Sequence, residues 1–509
     1  MDIEGDYVKA LHIQAGRVVQ RFRSEEEAKV TLPGIQTLSF PGKTILPGFI
    51  DSHMHLLSLG RSLEEVDARG VRSVEGLVKR VRERVEVHEP GTWITGAGWD
   101  QGCFTDQRYP TRDDLDLAST EHPITIWRAC RHILVANSLA LEQMGVNSST
   151  PNPPGGVIDK DPTGRPTGVL REKAAEATVS FLPSPSLEDK KRWARSGLKE
   201  LARNGITSVQ TNDSDARQVY SDLRNEMELS CRVYLSPLFE EALALSEMGG
   251  ITTGMGDDLF RMGRAKLFAD GSLGAKTAAL REPYQGDSTT GVMIYPPEEL
   301  ESKILAADTA GWQVETHAIG DRAAEVVLEA YDKMEDTSGK RPVLTHCQVL
   351  GPDLVDKMSR SGVVGAIQPI FLTTDMLWAE QYLGSKRMSY AYAWKTLANA
   401  GVICASSSDS PIEPVNPLSG IFAAVERKNL GGEPVDGWFP NECLSVWEAV
   451  RSYTVNGAYA EFQEKNKGRL LEGFLADMVV LDNDPFTTPS LLFIKVVATI
   501  LGGKVVHQA

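Results

Sequence analysis

Short runs of β-branched and other apolar residues recur along the chain, each ending in polar or ionisable residues. In order they are Thr44–His55 (TILPGFIDSHMH), Gly205–Thr211 (GITSVQT), Arg232–Pro237 (RVYLSP) and Arg264–Asp270 (RAKLFAD). Gln313–Ala318 (QVETHA), Val343–Cys347 (VLTHC), Val363–Pro369 (VVGAIQP) and Val402–Asp409 (VICASSSD) complete the set. Helical periodicity fills most of the gaps. Glu188–Asn204 carries a 3.6-residue pattern that stops at Gly205, a second follows Arg322 (AAEVVLEAYDKME), and a third, LANAG, precedes Val402. Eight apolar runs alternating with amphipathic helices predict an α/β fold: a parallel (β/α)8 TIM barrel, whose functional groups gather at the carboxyl ends of the strands.

Two regions exceed a minimal barrel. About 56–204 is too long for one connection, holds its own strand-like runs (TWITGAG, PITIWRA) and a Pro/Gly-rich stretch, and is expected to be an insertion after the first barrel strand, packed over the mouth. Near the start, VKALHIQAGRVVQRF, VTLPG and TLSF read as β, as do GFLADMVVLDNDPF and FIKVVATILGGKVV near the end. Neither end suffices for a stable sheet, so the two together predict a small composite β-sandwich. The expected organisation is sandwich over 1–46, barrel over 47–460, and sandwich again over 461–509.

Strand ends are where the chemistry falls. His53 and His55 are two apart, so in a strand both imidazoles face one side, with Met54 turned away into the packing. His317, His346 and Asp409 end three other runs, and a barrel would bring all five to one mouth. Imidazoles with a carboxylate make an N/O donor set suited first to Zn2+, with Fe, Mn, Co or Ni admissible. Lys266 sits inside an apolar run, where a charge is costly. Two readings stay open: a lysine paired with an acid such as Asp270, or one of depressed pKa that reacts with CO2 to form a metal-bridging carbamate.

The motifs LPGFIDSHMH, KLFADGSLGAKTAAL, ETHAIGDRA, LTHCQ and SSDSPIEPVNPL, closing with GRLLEGFLADMVVLDNDPF, resemble the amidohydrolase superfamily. More narrowly they resemble amidohydrolase family 3, the YtcJ-like branch that includes N-substituted formamide deformylase. The resemblance implies a metal-dependent hydrolase with one or two divalent ions. His53 and His55 would hold the more buried one. A carboxylated Lys266 would bridge to a second, held by His317 and His346, and Asp409 would bind the first and shuttle protons. The implied reaction is attack by a metal-bound hydroxide on the carbonyl of an amide, formamide or cyclic amide. An esterase, lactonase or deaminase on the same scaffold, or a metabolite-binding regulator without turnover, are the alternatives.

Other residues are weaker candidates. Trp99 and Asp100 (in GWDQ) and His132 (in RACRHILVANSLAL, with Arg128 and Asn137) resemble family segments near the pocket and are candidate substrate contacts, beside core and structural readings. Asp270, Gly271 and Gly274 are expected to shape a loop at the mouth, and Gln368 could face the site. Asp321 and Arg322 are expected to cap and pair on the following helix. His12, His88, His122 and His507 lie outside the strand-end motifs.

Composition narrows the classes. With 53 Lys and Arg against 69 Asp and Glu, the net charge of −16 excludes general nucleic-acid binding and a polybasic membrane surface. No run approaches the roughly 18 apolar residues of a membrane span, and the charged start lacks a signal core. Six cysteines without CxxC spacing (Cys103, Cys130, Cys231, Cys347, Cys404 and Cys443) read as reduced thiols, so a cytoplasmic enzyme acting on a small molecule, as a homo-oligomer such as a dimer, is expected.

Overall fold

The computed structural model describes residues 7–130 and 132–509. The chain divides into two compact units, one made of residues up to Ser58 together with Gly197–Ala509, the other of Leu59–Ser196.

The larger unit contains eight parallel strands at the positions of the eight apolar runs: β1 (Phe49–Met54), β2 (Ile206–Thr211), β3 (Arg232–Leu235), β4 (Arg264–Phe268), β5 (Gln313–Ala318), β6 (Val343–His346), β7 (Val364–Ile367) and β8 (Cys404–Ser406). They are almost wholly buried, as parallel strands covered by helices on their outer face must be. β1, β2 and β3 form one parallel sheet, with Phe260–Met262 pairing beside β3, and β4 to β8 form another in sequence order. Backbone hydrogen bonds run between the two sheets at both edges. At one, Gly263 N donates to Leu235 O (2.6 Å) and Lys266 N to Pro237 O (2.9 Å); at the other, Asp409 N donates to His53 O and His55 N to Ser410 O, both 2.9 Å.

Helices connect the strands. Leu187–Arg203 ends before Gly205, whose φ of +77° turns the chain into β2. A side chain there would also collide with Val479, 2.5 Å from an ideal Cβ. Asp321–Tyr331 and Trp394–Asn399 match the other two patterns read from the sequence.

The run Thr44–His55 is not one strand. Thr44–Pro47 pairs antiparallel with Met478–Leu481, whereas β1 pairs in parallel with β2. The break falls at Pro47–Gly48, where Gly48 packs so close to Thr207 that a Cβ would lie 2.2 Å from its Oγ1. Thr44–Pro47, Met478–Leu481, Val496–Leu501 and Lys504–Gln508 make a four-stranded sheet, and Ala10–Gln14 with Arg17–Phe22 a hairpin. Val18, Leu470, Met478, Val480 and Ile500 form a shared apolar cluster with Leu11, Ile13 and Ile45. Two expected strands are absent. VTLPG falls at the end of the helix Glu25–Thr31, capped by Ser24 and started by three glutamates, with Val30 82% exposed and no face to bury; TLSF is irregular.

The smaller unit is built on a six-stranded mixed sheet in the order Val66–Asp67, Ile94–Trp99, Ile124–Arg128, Ile133–Ala136, Pro166–Glu172, Gly156–Lys160. The helix Val74–Val85 buries Val74, Leu77, Val78 and Val81, an i, i+3, i+4, i+7 stripe, in a core with Ile94, Trp99, Ile124 and Ile126. Among the described residues no helix is long and apolar enough to cross a membrane, and all six cysteines are free thiols.

Candidate metal centre

Parallel register sets the site. In a strand, residues two apart share a face, so Asp51 and His53 on β1, Arg264 and Lys266 on β4, and Glu315 and His317 on β5 line up in pairs. His346 ends β6, and Asp409 follows β8. Both adopt positive φ, +86° and +54°, a conformation uncommon for such residues and one that turns the side chains at the strand ends.

The imidazoles converge. Ring centroids are 5.6 Å apart for His53–His55 and His53–His346, and 4.4 Å for His317–His346. One donor atom each from His53, His346 and Asp409 lies within 4.8 Å of the others, and all three residues are buried. Asp409 Oδ1 is 3.3 Å from His53 Nε2 and 3.2 Å from His55 Nε2.

Each ring has one nitrogen committed elsewhere. His55 Nδ1 reaches Asn212 O (2.8 Å) and His317 Nε2 reaches Gly271 O (2.9 Å); a carbonyl only accepts, so these nitrogens carry the proton. His346 Nδ1 reaches Gln368 Oε1 (2.8 Å), whose own Nε2 donates to Ser407 Oγ (2.8 Å) and Ala366 O (3.2 Å). His53 Nδ1 sits 2.7 Å from Glu315 Oε1, though without the alignment of a straight hydrogen bond. The opposite nitrogens are then lone pairs, and those of His53 and His55 face the acceptor Asp409 Oδ1. Converging acceptors repel unless a cation or proton lies among them, so the donor set fits a divalent metal ion.

The electrostatics agree. Burial and the neighbouring His317 hold His346 well below the usual imidazole range, which keeps it a neutral ligand. Burial alone would raise Asp409, but a proton placed between its Oδ1 and the facing His53 and His55 nitrogens, standing in for a cation, outweighs burial and holds it well below the usual carboxylate range. Burial opposes protonation of His55 too, and Asp409 outweighs it to raise the group. Asp51, fully buried, is pushed up to about 7 by burial, against hydrogen bonds from Ser408 and the His53 amide.

Lys266 Nζ lies 3.0 Å from Glu315 Oε1, its direct cross-strand neighbour. The acid that pairs with Lys266 is thus Glu315, whereas Asp270 accepts the amides of Ala279, Ile319 and Gly320 and braces the mouth loop. Glu315 also takes the Thr345 hydroxyl (2.9 Å) and Arg264 Nη1 (3.2 Å). Lys266, His53 and Arg264 outweigh burial and keep its carboxyl well below the usual range. Glu315, Arg264 and Asp51 escaped the sequence reading. The signal was the same period-two alternation that marked His53 and His55, applied to RAK, ETH and DSH.

The weaker candidates have other partners. Trp99 is fully buried in the core of the smaller unit, its Nε1 donating to Ile126 O (2.9 Å). Asp100 Oδ1 accepts from Gly102 N (2.9 Å) and Arg128 Nη2 (2.8 Å). His132 Nδ1 is 3.0 Å from Glu172 Oε2 on an exposed surface, and Asn137 caps the helix Ser138–Gln143. Asp321 opens its helix and accepts Arg281 N, and Arg322 pairs with Glu325 on the surface (2.6 Å).

The chain is similar to known proteins. YtcJ of Bacillus subtilis (strain 168), named as an amidohydrolase, is 34% identical over 517 positions, covering 99% of this chain and 97% of its own. N-substituted formamide deformylase of Arthrobacter pascens is 26% identical over 534 positions, covering 100% of this chain and 96% of its own. The crystal structure of an uncharacterized metal-dependent hydrolase from Pyrococcus furiosus superposes with a TM-score of 0.79 at 32% identity, covering 94% of this chain and 95% of that one. A model of the amidohydrolase family matches residues 40–507, and the chain belongs to that family.

Proposed function

We propose that this protein is a metal-dependent hydrolase that cleaves a C–N bond of an amide, formamide or cyclic amide. The convergence of His53, His346 and Asp409, with His55 and His317 beside them, carries the reading. The scaffold in this proposal is a (β/α)8 barrel, closed through the edge hydrogen bonds that join β3 to β4 and β8 to β1. The two chain ends form its accessory β-sandwich.

His53, His55, His317, His346 and Asp409 would hold one or two divalent ions, Zn2+ first by donor type. Such an ion, when bound, polarises a carbonyl and acidifies water. The chain supplies the rest. Asp409, with one oxygen turned to His53 and His55, takes the proton of the attacking water and delivers it to the leaving nitrogen. Asn212, Gly271 and Gln368 fix the tautomers of His55, His317 and His346, so the donor nitrogens need no reorientation during turnover. Lys266, in the same reading, first loses its ammonium proton to solvent, and the neutral Nζ then bonds to the carbon of CO2 and releases a second proton, giving a carbamate that would be a further anionic ligand. Its amine must first leave Glu315, whose charge Arg264 then balances.

The test is Asp409→Asn, with metal content and formate release from a panel of N-substituted formamides measured together. Loss of turnover with most of the metal retained is expected. Turnover near the wild-type rate refutes the proton role, activity confined to esters moves the assignment to ester hydrolysis, and purified protein without stoichiometric metal favours a binding protein.

A further inference from the structure

The loops after three consecutive strands place Gln348 (after β6), Asp375 (after β7) and Glu413 (after β8) at the same strand ends as His346 and Asp409. Gln348 Nε2 donates to Asp375 Oδ2, as does the Tyr392 hydroxyl, both at 2.8 Å. Both bonds fall on one oxygen, and Oδ1 takes none from the described residues. Thr374, adjacent to Asp375, donates its hydroxyl to Glu413 Oε1 (2.6 Å), leaving Oε2 unclaimed. Neither carboxylate has an ion-pair partner among the described residues. Gln348 is only 4% exposed, and its Oε1 has no hydrogen-bond partner among the described residues. An orphaned acceptor beside two unbalanced carboxylates is a costly arrangement that N–H donors carrying positive charge would relieve. Burial, with the Glu413 charge adding to it, pushes the Asp375 carboxyl up to about 7.

The cluster is within reach of the centre. The Phe371 ring stacks 6.1 Å from that of His346, and Asp375 follows Phe371 by four residues, one helical turn, which adds about 5–6 Å along the same face. Two exposed apolar side chains flank them in the chain, Leu377 two residues after Asp375 and Ile412 just before Glu413.

We propose that Asp375 and Glu413, with the Gln348 amide, form a cation subsite that selects amides whose amine side ends in an alkylammonium, roughly 10 Å from the scissile carbonyl. This rests on the hydrolase reading above and narrows its substrate class.

A matched pair of probes tests it: N-(5-aminopentyl)formamide, which ends in an ammonium, and N-hexylformamide, which ends in a methyl group at the same place. Formate release and protection against thermal unfolding are read on metal-loaded wild type, Asp375→Asn and Glu413→Gln. The wild type is expected to favour the ammonium probe by at least about tenfold in kcat/KM, with the larger thermal protection. Each substitution should cut that preference by at least about threefold while leaving the hexyl probe within about twofold. Glu413 is half-buried, so its amide variant keeps the test sound should Asp375→Asn disturb Tyr392. Equal or reversed preference in the wild type, preference that survives both substitutions, or no response to either probe overturns the subsite. Formate release without charge preference refutes the subsite alone. Thermal preference without formate release refutes amide hydrolysis and leaves the subsite standing.

Discussion

Replacing Glu315 by Gln keeps its shape and removes the one anion that balances two buried cations. Lys266 and Arg264 are 1% and 0% exposed, and both hydrogen-bond to this carboxylate, as does Thr345. A glutamine presents an NH2 group to at least one of these donors. Removing one partner of a buried ionic cluster costs about 3–5 kcal/mol. For a unit of about 370 residues with roughly 2.1 cal/mol/K of unfolding entropy per residue, that is a fall of about 4–6 °C in melting temperature. Lys266→Met runs the other way. It deletes a single cation with one acceptor and leaves Glu315 with Arg264 and Thr345, so its cost should stay within about 1.5 kcal/mol. Differential scanning calorimetry of the chelator-treated proteins gives both numbers side by side. A shift under about 1 °C for Glu315→Gln, or a larger loss for Lys266→Met than for Glu315→Gln, would show that Glu315 is not the keystone of this cluster.

Asp375 gives a pH signature. With a folded pKa near 7 against 3.8 in the unfolded chain, the native state keeps a proton through that interval that the unfolded state has lost. The Asp375 contribution to stability therefore falls as pH rises from about 4 to 7 and levels above it, by on the order of 4 kcal/mol. The melting-temperature difference of Asp375→Asn from wild type should be more positive at pH 8 than at pH 5, and a pH-independent difference contradicts the raised pKa. Asp477 receives Arg232 through two bonds (2.6 and 2.8 Å) and also accepts Gly502 N. Asp477→Ala should cost about 3–5 kcal/mol, with hydrogen exchange rising first in Met478–Leu481 and Val496–Leu501; unchanged protection there counts against it. Gly168 has a φ of +97°, and a Cβ on it would lie 2.4 Å from Ala136 O. Gly168→Ala should destabilise the smaller unit by at least about 2 kcal/mol, read as faster proteolysis within Leu59–Ser196; cleavage at the wild-type rate contradicts it.

The strands β1 to β8 were legible because parallel strands buried on both faces leave short continuous apolar runs, and because His53, His55, His317, His346 and Asp409 stand where those runs end. What stayed hidden depends on register. Nothing in one dimension says that Lys266 faces Glu315 rather than Asp270, since that follows from the Arg264–Phe268 ladder meeting Gln313–Ala318 residue by residue. Trp99 could be core or pocket until its sheet was known, because an indole suits both. VTLPG misled because β-branched residues at a helix end look like a strand when the Ser24 cap and three glutamates before it are overlooked. The Asp375 and Glu413 pair was invisible for a different reason: loop conformation, not periodicity, brings them together.

The pairing of Thr44–Pro47 with Met478–Leu481 also bears on biosynthesis. The first of these strands leaves the ribosome about 430 residues before its mate, a delay of roughly 20–90 s at about 5–20 residues per second. For that interval its backbone edge has no native neighbour, so a nascent chain stalled short of Met478 presents a sticky strand for chaperones, or for another stalled chain, to bind.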